Sequence, residues 1–447
     1  MSILRAIARK TSVCGLSAAN TVGRSFYATP SFTSATIRCL STTSPKAMSI
    51  PTNFPGAVTS LYTEKLDFIK EYETIPTYRV MDIHGAVIDE AHDPKLDSET
   101  LRKMYTCMLT LNSMDGIMYE AQRQGRVSFY MTNYGEEATH MGSAAALTND
   151  DVVYGQYREA GVLLYRGFTL DEFMNQCYAN ELDYGKGRQM PVHYGTPKYN
   201  FQTISSPLGT QLPHAAGSAY ALKLAGKKAC AICYFGEGAA SEGDFHAALN
   251  MAATTESPVI YLCRNNGYAI STPAKEQYRG DGIASRGHGY GMATIRVDGN
   301  DILAVYNAVK EARRMAIEEE RPVLIEAMTY RVGHHSTSDD SSAYRSKQEV
   351  AEWQQNHSPM VRFRKYLEAR SLWSEEEEQA FKKDIRTKIL KSFAAAEKVR
   401  KPPIEDLFTD VYDEMPPNLI EQKAELDRIM KKYPEFYDQN PHAPSRQ

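Results

Sequence analysis

The sequence has 447 residues, of which 51 are Lys or Arg and 55 are Asp or Glu, so its formal net charge is −4. This acidic balance argues against a nucleic-acid-binding surface, and no window of about 18 apolar residues predicts a membrane span. The length is ample for one large α/β domain with extensions.

The first 46 residues differ in composition from the rest of the chain. They contain six basic residues and no acidic residue, and Ser, Thr and Ala are abundant. This composition predicts a mitochondrial presequence for residues 1–46 and a location in the mitochondrial matrix, although a basic tail without a targeting role has a similar composition. Arg38 lies three residues before Ser41, which favours protease cleavage after Leu40. Removal of residues 1–46 would change the net charge from −4 to −10.

Residues 47–97 are rich in Pro and Tyr and lack periodicity, which predicts an extended N-terminal segment. Beyond them, hydrophobic periodicity predicts alternating helices and strands. The predicted helices span residues 98–123, 212–224, 245–255 and 301–319, and the predicted strands span residues 150–157, 228–235, 257–263, 292–297 and 323–330. Repeated strand–helix units predict an α/β fold with a doubly wound parallel sheet over residues 98–370.

Residues 371–447 are rich in Lys and Glu and predict a helical C-terminal extension, interrupted by proline pairs at residues 402–403 and 416–417. A charged helix face is usually only solvated. The extension also carries apolar residues that predict docking on a partner subunit. They are Leu407, Phe408, Val411, Tyr412, Met415, Tyr433, Phe436 and Tyr437.

The most informative motif follows the predicted strand 228–235. Gly236, Glu237 and Gly238 begin it, and Asn265 and Asn266 follow 27 and 28 residues after Gly238, beyond the next predicted strand. Glu237 and Asn266 are therefore expected at the carboxyl ends of neighbouring strands, where open α/β sheets bind their ligands.

A carboxylate and an amide oxygen at that edge suit magnesium, which takes its remaining ligands from phosphates and water. The glycines allow a diphosphate to approach the backbone, and Arg264 adds a fixed cation. A Rossmann dinucleotide loop is the alternative. Its glycine spacing differs, however, and Arg264, Asn265 and Asn266 stand where its ribose-binding acid is expected.

Cys230 and Cys233 have the spacing of a redox or zinc motif. They fall within one predicted strand, on opposite faces of it. We therefore expect them to be small buried hydrophobic residues of a protein in a reducing compartment.

The motif from Gly236 to Asn266 resembles the thiamine diphosphate signature, with Glu237 in place of the usual aspartate. Further informative runs are residues 128–137, 155–161, 185–193, 264–273 and 334–346. On these runs, and from about residue 70 to 415, the sequence closely resembles the α subunits of the mitochondrial branched-chain 2-oxo acid dehydrogenases, in their decarboxylating component. The pyruvate dehydrogenase α subunit is the alternative, but it resembles the chain less at residues 269–273 and in the loop with two adjacent serines.

The resemblance implies an oxidoreductase of the thiamine diphosphate-binding fold, 3-methyl-2-oxobutanoate dehydrogenase (2-methylpropanoyl-transferring). Its reaction is the oxidative decarboxylation of branched-chain 2-oxo acids in branched-chain amino acid catabolism, with acyl transfer to a lipoyl group. The implied partners are a β subunit in an α2β2 heterotetramer, a lipoyl-bearing acyltransferase core, and a regulatory kinase and phosphatase. A subunit that keeps the fold without catalysis is a further alternative, although Glu237, Arg264 and Asn266 are all present.

The resemblance also implies the site residues. Magnesium would bind Glu237, the side chain of Asn266 and the carbonyl of Tyr268. Thiamine diphosphate would contact Tyr157, Arg158, Ser206, Leu208, Gly238, Ala239, Arg264 and His335. Potassium would bind Ser205, Pro207, Thr210 and Gln211. From the residues alone, such a Ser/Thr loop is more often a turn with an N-cap.

Within the run 334–346, the resemblance makes His335 the expected catalytic residue, although a histidine in a surface loop would fit the sequence equally well. Ser336 is the predicted phosphorylation switch, and Ser346 is a secondary phosphorylation site. A phosphate on Ser336 would add almost two negative charges beside His335 and near Asp339 and Asp340.

Overall fold

We describe a computed structural model of the chain, which covers Gly56 and residues 63–444. The presequence predicted for residues 1–46 lies outside the described residues. Residues 63–72 contain neither helix nor strand, and the chain from Glu73 onward forms one compact unit.

The strands of the described chain alternate with helices, as the sequence predicts. The strands are β1 (Thr77–Tyr78), β2 (Val152–Tyr154), β3 (Phe201–Gln202), β4 (Ala231–Gly236), β5 (Val259–Asn265), β6 (Tyr268–Ala269), β7 (Thr272–Pro273), β8 (Ala293–Asp298) and β9 (Val323–Met328). The α-helices are α1 (Ser98–Arg123), α2 (Glu137–Ala145), α3 (Ala160–Tyr165), α4 (Leu170–Cys177), α5 (Gln211–Leu224), α6 (Gly243–Thr254), α7 (Ala274–Gln277), α8 (Ile302–Glu318), α9 (Lys347–Asn356), α10 (Pro359–Ala369), α11 (Glu375–Ala396) and α12 (Pro417–Lys432).

Seven strands form one sheet in the order β1-β8-β9-β5-β4-β2-β3, and every neighbouring pair is parallel. The strands β6 and β7 form a separate antiparallel hairpin. The two central strands of the motif, β4 and β5, are direct neighbours, with Gly236 opposite Arg264. Because parallel strands end at the same edge, the residues that follow β4 and β5 lie side by side.

Helices cover both faces of this sheet, which confirms the doubly wound α/β prediction. On one face, α5 and α6 pack Leu212 and Phe245 against alternate residues of β4 and β5. On the other face, α1, α2 and α8 pack against the intervening residues of the same strands. Cys230 and Cys233 are fully buried in different clusters, so the prediction of small buried hydrophobic residues is confirmed.

The longest helix, α1, has the bounds that the sequence predicts. Asp97 caps its N-terminus by accepting a hydrogen bond of 2.8 Å from the Thr100 amide, and Gly125 follows its end with a φ of +74°. In the C-terminal extension, α11 packs against α1 and α4 and buries Ile389 and Phe393 in the main core. No helix within the described residues is both long and apolar enough to cross a membrane.

Candidate active site

The carboxyl ends of β4 and β5 place Glu237 and Asn266 in direct contact. The backbone N–H of Asn266 donates a hydrogen bond of 3.3 Å to Oε2 of Glu237. Glu237 is only 1 % exposed, and its Oε1 finds no hydrogen-bond donor among the described residues. Because burial penalises the charged form, the pKa of Glu237 is raised to about 7. A cation beside Oε1 would satisfy the orphaned oxygen and restore the charge.

Arg264, the penultimate residue of β5, is fully buried beside two carboxylates. Its Nη1 donates to Oε2 of Glu136, and its Nη2 forms an ion pair of 2.6 Å with Oε1 of Glu159 without hydrogen-bond geometry. Burial alone would lower the pKa of Arg264, but the charges of Glu159 and Glu136 raise it. Among the described residues, its Nε has no hydrogen-bond acceptor, so this group can donate to an anion.

Glu136 contacts both motif residues at the end of β5. Its Oε1 accepts a hydrogen bond of 2.8 Å from Nδ2 of Asn266, and its Oε2 pairs with Arg264. Burial alone would raise the pKa of Glu136, but the charges of Arg264 and Arg158 outweigh it and lower the pKa. The carboxylate is therefore ionised at neutral pH.

The end of β2 and the loop after β9 bring Arg158 and His335 together. Arg158 donates through Nη1 to the Thr132 carbonyl at 2.5 Å and through Nη2 to the His335 carbonyl. The ring of Tyr157 meets that of His335 edge-on at 6.0 Å. Burial, followed by the charges of Arg158 and Arg331, lowers the pKa of His335 to about 3, so its imidazole is neutral at neutral pH.

The turn after β4 passes close to the β6–β7 hairpin. A Cβ at Gly238 would lie 2.5 Å from the Cβ of Ala269, so any side chain there would displace the hairpin. The next residue, Ala239, is buried. The carbonyl of Tyr268, on the same hairpin, accepts a hydrogen bond of 3.3 Å from Arg331, and its second lone pair stays available.

The loop before α5 brings three of the four residues predicted for potassium together. The Thr210 hydroxyl lies 3.0 Å from Oγ of Ser205 and 3.1 Å from the Pro207 carbonyl. The amide of Gln211 instead donates to the Tyr234 carbonyl at 3.1 Å. These are the contacts of a hydrogen-bonded turn, and potassium binding there stays a prediction.

Two further residues of this loop belong to the predicted cofactor set. Oγ of Ser206 lies 2.8 Å from Nε2 of His193, and Nδ1 of that histidine lies 3.1 Å from the Pro191 carbonyl. Nδ1 therefore carries the proton and Nε2 accepts from the serine. Leu208 is 37 % exposed, so part of its side chain is accessible to a ligand or a partner.

A family model described as dehydrogenase E1 component matches residues 105–405. This chain belongs to the dehydrogenase E1 component family. A 2-oxoisovalerate dehydrogenase subunit alpha, mitochondrial, from Macaca fascicularis is 60 % identical over 386 residues, which cover 86 % of each chain. The protein of that name from Dictyostelium discoideum is 58 % identical over 386 residues, with 86 % of this chain and 88 % of the relative covered.

A more distant member, the subunit alpha 1 from Arabidopsis thaliana, is 54 % identical over 387 residues, with 86 % of this chain and 82 % of the relative covered. All three relatives are named as mitochondrial, which confirms the mitochondrial localisation predicted from the presequence. Their names also favour the branched-chain assignment over the pyruvate dehydrogenase alternative.

Membership of the E1 component family implies dependence on thiamine diphosphate. The buried polar groups fit a diphosphate with its cation, because Oε1 of Glu237 lacks a donor and can bind a cation, and Nε of Arg264 lacks an acceptor and can donate to an anion. Within the described residues, no group of three or more His, Cys, Asp or Glu forms a metal site. A cation here would therefore rely on mixed oxygen ligands and on the diphosphate itself.

The loop that carries the predicted phosphorylation sites adjoins this candidate site. Asp339 accepts hydrogen bonds from the His335 amide at 2.7 Å and from the Tyr344 hydroxyl at 2.6 Å. Ser336 is half-buried, and its carbonyl accepts from the Asp339 amide at 3.1 Å. Ser346 lies further along, where its Oγ caps α9 by accepting from the Glu349 amide at 3.1 Å.

Sequence reasoning gave no role to Glu136, Glu159 or His193. All three occur in runs that carry the family resemblance, but nothing in their local pattern names their partners. Glu136 stands 128 residues before Arg264, and such a pairing becomes visible only when the sheet brings the two segments together. The signal available in the sequence was an adjacent pair of acids, Glu136 and Glu137, at the start of a helix.

Proposed function

We propose that this chain is the α subunit of a mitochondrial branched-chain 2-oxo acid dehydrogenase. In this role it catalyses, with a β subunit, the oxidative decarboxylation of branched-chain 2-oxo acids and acyl transfer to a lipoyl group of an acyltransferase core. The observation that carries the proposal is the pair of buried, unsatisfied groups at neighbouring strand ends, Oε1 of Glu237 and Nε of Arg264. They suit a diphosphate and its cation in a chain whose relatives are named for this activity.

Magnesium would be held by three oxygens of this chain: Oε1 of Glu237, Oδ1 of Asn266 and the Tyr268 carbonyl. Two of these residues are already in contact, because the backbone nitrogen of Asn266 lies 3.3 Å from Oε2 of Glu237. The remaining ligands would be diphosphate and water oxygens. Ser205, Pro207, Thr210 and Gln211 would hold potassium and so stiffen the loop before α5.

Thiamine diphosphate, when bound, supplies the nucleophilic carbon and the electron sink that decarboxylation of a 2-oxo acid requires. This chain's contribution is to bind and orient the diphosphate half. Arg264 and Arg158 would neutralise its charge, and Gly238 and Ala239 would let it approach the backbone. Tyr157, Ser206 and Leu208 would complete the cofactor contacts.

His335 would act on the reacting atoms as a neutral hydrogen-bonding group. Its Nδ1 lies 3.3 Å from Nη2 of Arg158, and a guanidinium can only donate, so Nδ1 accepts and Nε2 carries the proton. The low pKa of this imidazole keeps a second positive charge away from Arg158. Nε2–H is therefore the group that can donate a hydrogen bond to substrate or product oxygen.

Partner chains would complete the enzyme. A β subunit in an α2β2 heterotetramer would supply the remainder of the active site. A kinase and a phosphatase would act on Ser336, with Ser346 as a secondary site. The C-terminal extension, residues 371–447, would dock on the partner subunit through its exposed apolar side chains.

The proposal is tested by co-expressing the chain with its β subunit and measuring decarboxylation of pyruvate and of the three branched-chain 2-oxo acids. A branched substrate should have a kcat/KM at least tenfold above that of pyruvate, since a hydrophobic pocket gains about 0.8 kcal/mol for each buried methylene. Calorimetry should show thiamine diphosphate binding that requires magnesium. Faster turnover of pyruvate would move the chain to the pyruvate dehydrogenase alternative, and no cofactor binding would favour the subunit without catalysis.

A further inference from the structure

We propose that Glu136 is a positioning residue that orients the side-chain amide of Asn266 and the guanidinium of Arg264 together. The Asn266 amide then presents its oxygen to the cation, and Arg264 presents a donor to the diphosphate. The inference rests on the proposed function and adds to it a residue outside the predicted site. Glu136 precedes α2, and its side chain is completely buried. One carboxylate oxygen serves each partner, with Oε1 receiving Nδ2 of Asn266 at 2.8 Å and Oε2 receiving Nη1 of Arg264.

The contact with Glu136 decides which way the Asn266 amide faces. A carboxylate accepts hydrogen bonds and cannot donate them, so the amide nitrogen must face Glu136. Oδ1 is then turned away from Glu136, toward the Tyr268 amide at 3.3 Å, and keeps a lone pair for a cation. The reversed amide would set an oxygen against the carboxylate and a nitrogen against the cation.

The two acids beside Arg264 have different tasks. Glu159 accepts hydrogen bonds from the Gln156 and Tyr157 amides at 2.8 and 2.9 Å and forms its ion pair with Arg264 from that fixed position. It ties the arginine to the end of β2. Among the side chains of the described residues, Glu136 is the only one that hydrogen-bonds to the side chains of both Arg264 and Asn266, so the alignment of cation ligand and diphosphate donor depends on it.

Two substitutions can separate a positioning role for Glu136 from a purely structural role, because together they restore the hydrogen-bond pattern that one of them alone disrupts. Glu136→Gln leaves the shape of the side chain unchanged but turns one acceptor into a donor, which must oppose either Asn266 or Arg264. Combining it with Asn266→Asp reverses the polarity of one contact. The glutamine amide can then donate to Asp at position 266 while its oxygen still accepts from Arg264, and the second oxygen at position 266 faces the cation.

The experiment uses the co-expressed α and β chains with thiamine diphosphate and measures free Mn²⁺, as a stand-in for magnesium, by electron paramagnetic resonance. Residues that hydrogen-bond to a metal ligand typically account for about 10–100-fold in metal affinity. We expect Glu136→Gln to weaken Mn²⁺ binding by about that factor. We expect Asn266→Asp alone to weaken it as well, because two carboxylates then face each other. The double variant should bind at least tenfold more tightly than Asn266→Asp.

Simple charge effects would change the Mn²⁺ affinity of the double variant in the opposite direction. The double variant has one negative charge fewer near the cation than Asn266→Asp, so Coulomb attraction alone predicts weaker binding. Glu137→Gln is the matched control, because Glu137 is the adjacent buried acid and instead accepts hydrogen bonds from the Gly135 amide and Asn112. It should keep wild-type Mn²⁺ affinity within twofold.

The inference is overturned if Glu136→Gln binds Mn²⁺ within twofold of the wild type, or if the double variant binds no more tightly than Asn266→Asp. Should Glu136→Gln fail to fold, the comparison of Asn266→Asp with the double variant still decides. A wild-type assembly that binds no Mn²⁺ with thiamine diphosphate overturns the proposed function and this inference with it. Failure confined to the variants overturns the inference alone.

Discussion

Glu237 combines almost complete burial with an oxygen that has no partner in the described chain. Such a group lowers the stability of the protein without its cation, because burial of an unpaired charge is unfavourable. We therefore expect Glu237→Ala to abolish activity by loss of metal binding and to leave the fold intact. Calorimetry should show no magnesium-dependent binding of thiamine diphosphate, while the thermal midpoint of the apo protein stays the same or rises.

Glu242→Ala is the matched control for this substitution. Glu242 is an exposed glutamate of the same loop, and its side chain does not cap α6. It should retain cofactor binding and activity. Magnesium-dependent binding of normal strength by Glu237→Ala would remove Glu237 from the metal site.

The raised pKa of Glu237, about 7, makes cation binding depend on pH. Below that value the carboxyl is protonated in the apo protein, and a cation must displace the proton. As the pH increases toward 7, magnesium affinity should therefore rise about tenfold per pH unit, and above pH 7 it should level off. Calorimetry at pH 6 in two buffers with different ionisation enthalpies should report close to one proton released.

Glu237→Gln has no proton to lose at this position, so its residual binding should show no such release. Equal proton release by the variant and the wild type would assign the titration to another group.

The sequence predicted the residues that would contact a ligand better than the residues that hold those ligand-binding side chains in place. Glu237, Arg264 and Asn266 follow buried strands, so their shared edge could be predicted from strand periodicity and the parallel topology. The contacts of Glu136 and Glu159 could not be predicted in this way. The residues around a carboxylate in a short loop do not indicate which residue it will contact. Glu136 contacts Asn266, which lies 130 residues later in the chain.

The loop between β9 and α9 places its two predicted phosphorylation sites in different surroundings. Ser336 lies next to His335 and close to Asp339, the carboxylate that accepts from the His335 amide. Ser346 caps the N-terminus of α9, where the helix dipole favours an added negative charge by about 0.3–1 kcal/mol. A phosphate should therefore disturb the loop at Ser336 and be tolerated at Ser346.

We expect Ser336→Glu to lower turnover of the whole complex at least tenfold, because its charge repels Asp339 and the diphosphate. Ser336→Ala should stay close to the wild type. Ser346→Asp, which adds a charge and keeps an N-cap, should remain within about twofold. The measurement compares whole-complex turnover with decarboxylation of the free acid. Full whole-complex activity in Ser336→Glu would contradict a phosphorylation switch.

Element boundaries followed the sequence closely where local signals were strong. The Asp97 cap and the apolar stripe of α1 fix its bounds. The helix predicted at residues 301–319 spans Ile302–Glu318, with Asp301 as its N-cap. The predicted strand 150–157 is shorter, with β2 spanning Val152–Tyr154. Its last residues, among them Tyr157, leave the sheet because Glu159 accepts their amides, and this contact has no periodic signature.

The whole molecule exposes an apolar surface in its C-terminal extension. Val411 is 73 % exposed and Phe436 is 78 % exposed, and Leu407 and Tyr412 are also exposed. By contrast, α11 of the same extension packs one apolar face against α1 and α4. The extension thus contains one part that completes the core and another that leaves apolar side chains accessible to a partner.

We expect Val411→Asp to weaken assembly with the β subunit, because a charge would be desolvated at the interface. Size-exclusion chromatography with light scattering on the co-expressed chains should show loss of the α2β2 species at micromolar concentration. Leu224→Asp, at a side chain that is 70 % exposed on α5, is the matched control. Undisturbed assembly by Val411→Asp would remove this segment from the docking surface.

The sheet pairs segments that are far apart in the chain, and this pairing affects how the protein folds. Its edge strand β1, at residues 77–78, pairs with residues 296–297 of β8, and β4 and β5 are followed by site loops that depend on residues as distant as Glu136 and His335. Such non-local pairing makes folding slow and leaves unfinished chains prone to aggregation. A ligand that binds only the finished site cannot guide the early steps. The cofactor would therefore prolong the lifetime of each completed molecule without raising the rate at which new molecules fold.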